Sequence, residues 1–497
     1  MANKRSLRTF LQAPILTNGG CVPRREGLLY AIGIAGQNVS CGMVGWFYYF
    51  CTDVAYYDMR VIAIVLTAAR IWDAVNDPLM GVLVDRHRFK NGEKLRPWLR
   101  ITPIAAGICA FLMFLKPGFT EDSLALQSAF IAIIYLIYDM TFTMQDITMW
   151  GMTAVMSPHS EERGRLAQWG RIGGTVGSWL PGLITVFMSI ANRIGLSQRI
   201  LFAVLGLVLG LGGMLLSICS SCGRERVLSV PEKGAAGLRD NLGDLFKNKM
   251  VMLVLLGSIL SGLSLTVPQI YFFKYKISLT MFGFNIDGET ASFLYGIFAG
   301  LPGTLAMLFV PQFAKKVGGM KNILILSCLA AIVMRVICFF VGYEGYNILI
   351  VMVLMGIASI PSGMTGIAMT ALFGDSIDYM EYKTGRRAEA ITFAAQTFCS
   401  KIVGAINTGV TTVLFILLNY SAEAYDAGQP LSPEFDHWVW PLFILGPIVG
   451  SVLNLIPLLF IHYPDSLKKQ VEAELKKRRA EAEGADSEAV LQAENIQ

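Results

Sequence analysis

Roughly twelve apolar runs, most of them 17 to 25 residues long, leave this chain one class of fold. Within hydrocarbon no water satisfies backbone N–H and C=O groups, and a helix closes all of those bonds inside its own segment. The runs lie near residues 28–52, 61–84, 99–115, 125–150, 169–191, 200–218, 250–273, 291–314, 323–342, 348–372, 388–419 and 438–461. The third is short and the eleventh long, so tilt or a break is expected in those two. With 54% hydrophobic and 15% charged residues among 497, there is too little polar surface for an ordinary soluble enzyme. The expectation is an all-α, polytopic membrane protein.

Charge placement says more than the net charge of +5. Most Lys and Arg fall in the first 27 residues, the even-to-odd connections and the tail, which places both termini on the cytoplasmic side. Residues Met1 to Glu26 are polar and basic and lack the apolar run of a cleavable signal. A polar, basic stretch at 220–249 divides the spans six and six. This is the plan of the major facilitator fold, two six-helix bundles around a midplane site. The expected organisation is a cytoplasmic segment 1–27, a bundle 28–219, a cytoplasmic loop 220–249, a bundle 250–462 and a cytoplasmic tail 463–497. The tail, with blocks of Lys, Glu and Ala, reads as solvated.

The chemistry concentrates in two spans. In span two, Asp73 and Asp77 are one helical turn apart and Asn76 lies beside them, so three oxygen-bearing side chains share a face. Charge within a bilayer is costly, and a bound hard cation or a proton accounts for the pair; neutralisation by Arg70, or a kink at Pro78, is the structural alternative. In span four, Asp139, Thr143, Asp146 and Trp150 fall on one face of an otherwise apolar helix. A carboxylate that accepts hydroxyl hydrogen bonds beside a ring that covers a C–H face suits a sugar. Arg171 and Lys401 are the cations available to these acids, and Gln396 and Thr397 precede Lys401 by about one turn. Arg335 in span nine has no acidic neighbour in the sequence. The loop from Asp85 to Trp98 reads as a charged gate, and the glycine-rich runs 170–177 and 206–213 as close helix contacts. Cys219 and Cys222 have redox or metal spacing without a second cluster, and no Walker motif points to ATP.

Three motifs in order carry a resemblance: Arg70 to Gly81 (RIWDAVNDPLMG) with a basic loop ending Arg96-Pro97-Trp98, Thr143 to Trp150, and Asp375-Ser-Ile-Asp378-Tyr-Met-Glu381-Tyr-Lys383 through Lys401. Together they resemble the glycoside-pentoside-hexuronide:cation symporters, the group of the bacterial melibiose permease, from about Gly27 to about Ile461. The resemblance implies a sodium, lithium or proton site at Asp73, Asn76, Asp77 and Thr143, and sugar-site positions at Asp146, Trp150, Arg171 and Lys401. It places Gln37 and Asn38 where that permease has a lysine and a sugar-binding aspartate, so Asn38 is expected to line the substrate site. Asp139 stands where the permease has a small residue and Thr148 where it has a proline, which implies a different glycoside.

The resulting expectation is a bacterial inner-membrane symporter, monomeric in the bilayer, that imports a sugar or glycoside with sodium or a proton and uses neither a resident cofactor nor nucleic acid. One rival is a lysolipid transporter of the same fold; another is a membrane sensor that binds without transporting. Asp146 with Trp150 favours sugar over lipid, and the cation residues disfavour a sensor.

Overall fold

The computed structural model describes residues 11–15, 20–87, 89, 92–157, 159–226, 248–281, 284–384 and 389–463, with 467, 468, 470, 471, 473–475 and 477 beyond. Most of the expected middle loop and tail therefore lies outside the described residues, as does the Arg70 side chain. Among the described residues nine helices are long and apolar enough to cross a membrane. Three shorter apolar helices, Met59–Ala69, Trp98–Leu112 and Lys249–Gly262, stand where spans two, three and seven are expected. The principal helices are α1 (Arg24–Val44), α2 (Met59–Arg86), α3 (Trp98–Leu112), α4 (Leu124–Met156), α5 (Ser160–Trp179) and α6 (Gln198–Cys222). They continue as α7 (Lys249–Gly262), α8 (Gly288–Ala306), α9 (Met320–Val341), α10 (Asn347–Gly363), α11 (Glu389–Leu417), α12 (Pro433–Leu445) and α13 (Ile448–Phe460). A short antiparallel hairpin, β1 (Leu279–Met281) with β2 (Phe284–Ile286), precedes α8.

The chain forms two compact units, one of Met1–Glu232, Phe273–Phe293 and Thr408–Trp438, the other of Lys233–Phe272, Leu294–Asn407 and Val439–Gln497. In the first, α2 starts where the Asp58 carboxylate accepts from Arg60 N at 2.7 Å, and α4 where Ser123 Oγ accepts from Ala125 N at 3.2 Å. Each side chain thus satisfies a first-turn N–H that has no helical acceptor. Helix α1 packs against α5 and α6 at backbone contact. A Cβ at Gly173 or Gly177 would stand 2.2 Å from the carbonyl oxygens of Ala31 and Ala35, and one at Gly36 would stand 2.6 Å from Gly213 O. Small residues make this approach possible, which is the role the glycine runs were expected to have.

Side chains then set the rotation of α4 against its neighbours. Tyr30 of α1 donates to Met149 O at 3.0 Å, and Gln145 donates to Ser217 Oγ of α6 at 2.6 Å. Toward the start of α1, Glu162 accepts from Ser157 Oγ at 2.6 Å and from Val22 N at 3.0 Å. Glu225 accepts from the backbone N–H groups of Lys94, Leu95 and Arg96 at 3.0, 2.8 and 2.7 Å. Part of the loop expected as a gate is thereby stapled within this unit, while Arg88, Lys90 and Asn91 lie outside the described residues.

In the second unit α8 and α10 touch through Gly303 and Gly363: a Cβ on Gly363 would lie 2.1 Å from Gly303 O. The breaks fall away from the eleventh span, where α11 is continuous over Glu389–Leu417. One break follows α7; there Asn407 accepts from Ser264 N at 3.1 Å and donates to Gly262 O at 2.6 Å, taking over backbone groups that the helix no longer pairs. Another separates α12 from α13 at Pro447. Proline has no N–H, so Phe443 O loses its helical donor, and Arg335 donates to Ile444 O at 3.1 Å and to Phe443 O at 3.5 Å. That assigns Arg335 a backbone partner rather than an acidic one.

Gly177→Val should force α1 and α5 apart and cost about 1–3 kcal/mol. Gly182→Ala, at a position with open space around it, should cost little. Thermal unfolding of the purified proteins in detergent compares them, and equal midpoints would mean that the α1–α5 contact does not limit stability.

Candidate cation and substrate site

The i, i+3, i+4 spacing on α2 puts Asp73, Asn76 and Asp77 on the face that meets α4. Asn76 is fully buried, and Thr143 and Asp139 on α4 are 4% and 7% exposed; Asp73 and Asp77 are half-buried. Asn76 Nδ2 donates to Asp139 Oδ2 at 3.2 Å and to Thr143 Oγ1 at 3.3 Å. Thr143 Oγ1 in turn donates to Asp77 Oδ1 at 3.1 Å. With its proton committed to Asp77, the Thr143 oxygen keeps a lone pair. Asn76 Oδ1 is buried and has no hydrogen-bond partner among the described residues. Buried acceptors nearly always find a donor, and an orphan carbonyl oxygen beside carboxylates is what a positively charged cargo would complete. The oxygen-only donor set fits a hard monovalent cation; among the described residues no three or more His, Cys, Asp or Glu groups converge as a metal centre.

One turn further along α4 comes Asp146. Its Oδ1 accepts from Gln37 Nε2 of α1 at 2.8 Å, and Gln37 is 2% exposed. In Asn38, the neighbour expected to line the site, Nδ2 donates to Ile34 O at 2.9 Å, and Oδ1 accepts from Ser178 Oγ of α5 at 3.3 Å. Successive helix positions lie about 100° apart, so Gln37 and Asn38 present their amides to different neighbours. The signal for Gln37 was present as a polar residue in an apolar span, but only the packing of α1 on α4 pairs it with Asp146. Trp150 is partly exposed and lies beside Gly170 of α5. Arg171 on α5 is exposed. Gln396 and Lys401 are half-buried on α11, within the second unit, and are described there by themselves.

The first unit contains a further charged cluster that the sequence reading missed, at the far end of α1 from the amino terminus. Beyond α1 the chain widens into a π turn over Phe50–Val54, and the Asp53 side chain in it has 0% exposure. Asp53 Oδ1 accepts from Lys274 Nζ at 2.9 Å and from the phenols of Tyr275 and Tyr420, each at 2.8 Å. Oδ2 accepts from Thr52 Oγ1 at 2.8 Å. The ammonium also lies 5.3 Å from the Tyr49 ring centroid and 4.9 Å from that of Tyr275. Around this pair Tyr48 hydrogen-bonds Thr412 at 3.0 Å, Asn192 donates to Glu289 at 3.1 Å, and Ser189 donates to Asp287. Burial works to raise the Asp287 carboxyl, but the donors Ser189 and Thr290 and the nearby Arg193 hold it below the usual carboxylate range.

These contacts define a polytopic transporter fold with a polar network inside its helices. Solved structures of like shape include a D-xylose-proton symporter (TM-score 0.56, 13% identity, 88% of this chain and 97% of that one) and the nucleoside transporter NupG (TM-score 0.54, 17% identity, 88% and 98%). At those identities the likeness establishes the fold. The MFS/sugar transport protein family model matches residues 29–465, and the chain belongs to that family. It is 25% identical over 468 residues to the isoprimeverose transporter of Lactiplantibacillus pentosus, covering 93% of each chain. It is 24% identical to the glucuronide carrier protein homolog of Escherichia coli (90% of this chain, 95% of that one) and 23% identical to the raffinose carrier protein of Pediococcus pentosaceus (85% and 68%). The chain is therefore a multi-pass membrane transporter and not an enzyme, and the glycoside-pentoside-hexuronide:cation resemblance holds.

Removing one member of a buried ion pair strands the other. Asp53→Ala should cost about 3–5 kcal/mol, and adding Lys274→Met should recover much of the loss because the ammonium is then no longer left without its carboxylate. A double-mutant cycle on the thermal unfolding midpoint measures this, and additive losses would mean that the pair is not coupled.

Proposed function

We propose that this protein imports a sugar or glycoside together with sodium or a proton by alternating access, from a bacterial inner membrane in which both termini are cytoplasmic. The observation that carries the reading is the continuous network on α2 and α4: Asp77, Thr143, Asn76 and Asp139 linked by hydrogen bonds, with Asp146 three residues beyond Thr143 on the same helix. Three residues rise about 4.5 Å along a helix, so the cation and substrate positions share one rigid element. A cation at Asp73, Asn76, Asp77 and Thr143 relieves the charge on α2 and settles the facing side of α4. Asp146 and Trp150 lie on that same helix. If the cation raises sugar affinity, the sugar must raise cation affinity by the same factor.

Gln37 supports a polyol substrate. Its amide engages Asp146 and keeps a carbonyl oxygen, so the pair can offer both acceptors and donors to hydroxyl groups. The family relatives named for isoprimeverose, raffinose and a glucuronide agree with a glycoside. A lysolipid would make little use of Asp146. The Asp53 cluster suits the alternating step: residues 273–293 and 408–438 come from the second half of the sequence yet close on Asp53, and these bonds would have to break for the site to open at that end. The substrate and its coupling ion are cargo, and the reading calls for no resident cofactor.

Two variants test this reading in proteoliposomes. Asp146→Ala should lower uptake of the preferred glycoside at least tenfold, about 1.4 kcal/mol or more of lost binding, while labelled lysophospholipids remain untransported by wild type and variant alike. Transport of lysolipids and of no glycoside by the wild type would overturn the sugar reading. Asp77→Cys should abolish sodium stimulation of glycoside affinity at fixed pH and end uphill accumulation, with glycoside binding still measurable. Wild-type affinity that ignores sodium but rises on acidification would identify the proton as the coupling ion.

A further inference from the structure

We infer that Asp139 is a positioning residue that determines cation affinity and selectivity by locking the Asn76 amide in one of its two orientations. The inference rests on the cation site proposed above. An asparagine side chain can turn over, exchanging its NH2 and its C=O in the same space, and the two faces are chemically opposite. What sets the orientation here is the pair of partners on α4. An ionised carboxylate only accepts, so Asp139 Oδ2 at 3.2 Å requires the nitrogen to face it. Thr143 Oγ1 at 3.3 Å also receives from Nδ2, because its own proton goes to Asp77 Oδ1. The Asn76 carbonyl oxygen is thereby turned away from both partners of α4. It is fully buried and, among the described residues, without a donor.

The consequence is a division of labour among the oxygens. Asp77, Thr143 and Asn76 Oδ1 are left as electron-rich groups toward a cation, whereas Asp139 is engaged on the other side of the amide. Asp139 Oδ2 receives the Asn76 amide at 3.2 Å, and it is through this bond that Asp139 acts on the site. Were the amide free to turn over, its NH2 would present two partial positive charges to the cation, and the same four residues would become a poor site. An amide held rigidly also discriminates between ions of different radius, since a fixed carbonyl cannot follow a smaller ion inward.

The test compares Asp139→Ala with Asp139→Asn in the purified, full-length transporter, using sodium and lithium chloride as the probes at fixed pH and ionic strength. The readouts are cation-dependent shifts in the thermal unfolding midpoint without sugar, and the sodium concentration that half-saturates the shift. In Asp139→Ala the half-saturating sodium concentration should rise about tenfold, the scale typical of outer-shell metal-site partners, and the sodium-to-lithium preference should narrow. Asp139→Asn keeps an acceptor oxygen for the Asn76 amide but can also donate to it, so its half-saturating concentration should fall between those of wild type and Asp139→Ala. A merely structural role would lower all midpoints without moving the half-saturating concentration or the ion preference.

Two results would overturn the inference by itself. One is wild-type sodium affinity in Asp139→Ala; the other is equal loss in the alanine and asparagine variants, which would mean that the charge of Asp139 acts directly. If the wild-type protein itself shows no sodium- or lithium-dependent shift, the cation-site reading fails, and this inference fails with it. Wild type is measured first, which keeps the two failures apart.

Discussion

The backbone contact between α1 and α5 is the constraint from which the rest of the first unit follows. With the carbonyls of Ala31 and Ala35 lodged where Gly173 and Gly177 have no side chain, the two helices can adopt essentially one register. That register turns Tyr30 toward Met149 and Gln37 toward Asp146, and so fixes how α1 meets α4. In lipid there is no hydrophobic gain in bringing two apolar helices together. Close packing and a few satisfied polar groups do the work that burial from water does in a soluble protein.

The polar groups carried into the helices are handled in two different ways. Asp53 is fully bonded: an ammonium, two phenols and a hydroxyl surround it. The network around Asn76 is incomplete by one buried acceptor. Such an acceptor is unfavourable in isolation, and a protein that keeps one beside carboxylates is poised for a positively charged partner. On the proposed function, the contrast separates a contact that holds structure from a place that takes the cation, although both are acidic residues in apolar surroundings. Arg335 belongs to the first kind, because its guanidinium answers carbonyls at the Pro447 break.

Much of this was legible in the chain. The length and number of the apolar runs define the helices, since backbone bonding in a bilayer admits few alternatives. The spacing of Asp73, Asn76 and Asp77 puts them on one face, and the spacing of Asp139, Thr143, Asp146 and Trp150 does the same on α4. Helical periodicity is local, so no tertiary information is needed for either set. The glycine runs were legible for a similar reason: a residue without a side chain invites only a close neighbour.

What the sequence could not determine is which face meets which. Gln37 and Asn38 are one position and about 100° apart on the helix, and the packing of α1 against α4 and α5 decides that the first meets Asp146 and the second Ser178. The Asp53 cluster joins residues more than 220 positions apart, from three stretches of chain whose charges had no local partner. Likewise Asp139 is a stray carboxylate until α2 lies against α4 and brings Asn76 to it. Sequence alone determined the helices, the membrane and the acidic faces, because each depends on near neighbours and on the solvent. Only the tertiary structure decided the partners, because a hydrogen bond requires two groups within about 3 Å, and that proximity is a property of packing.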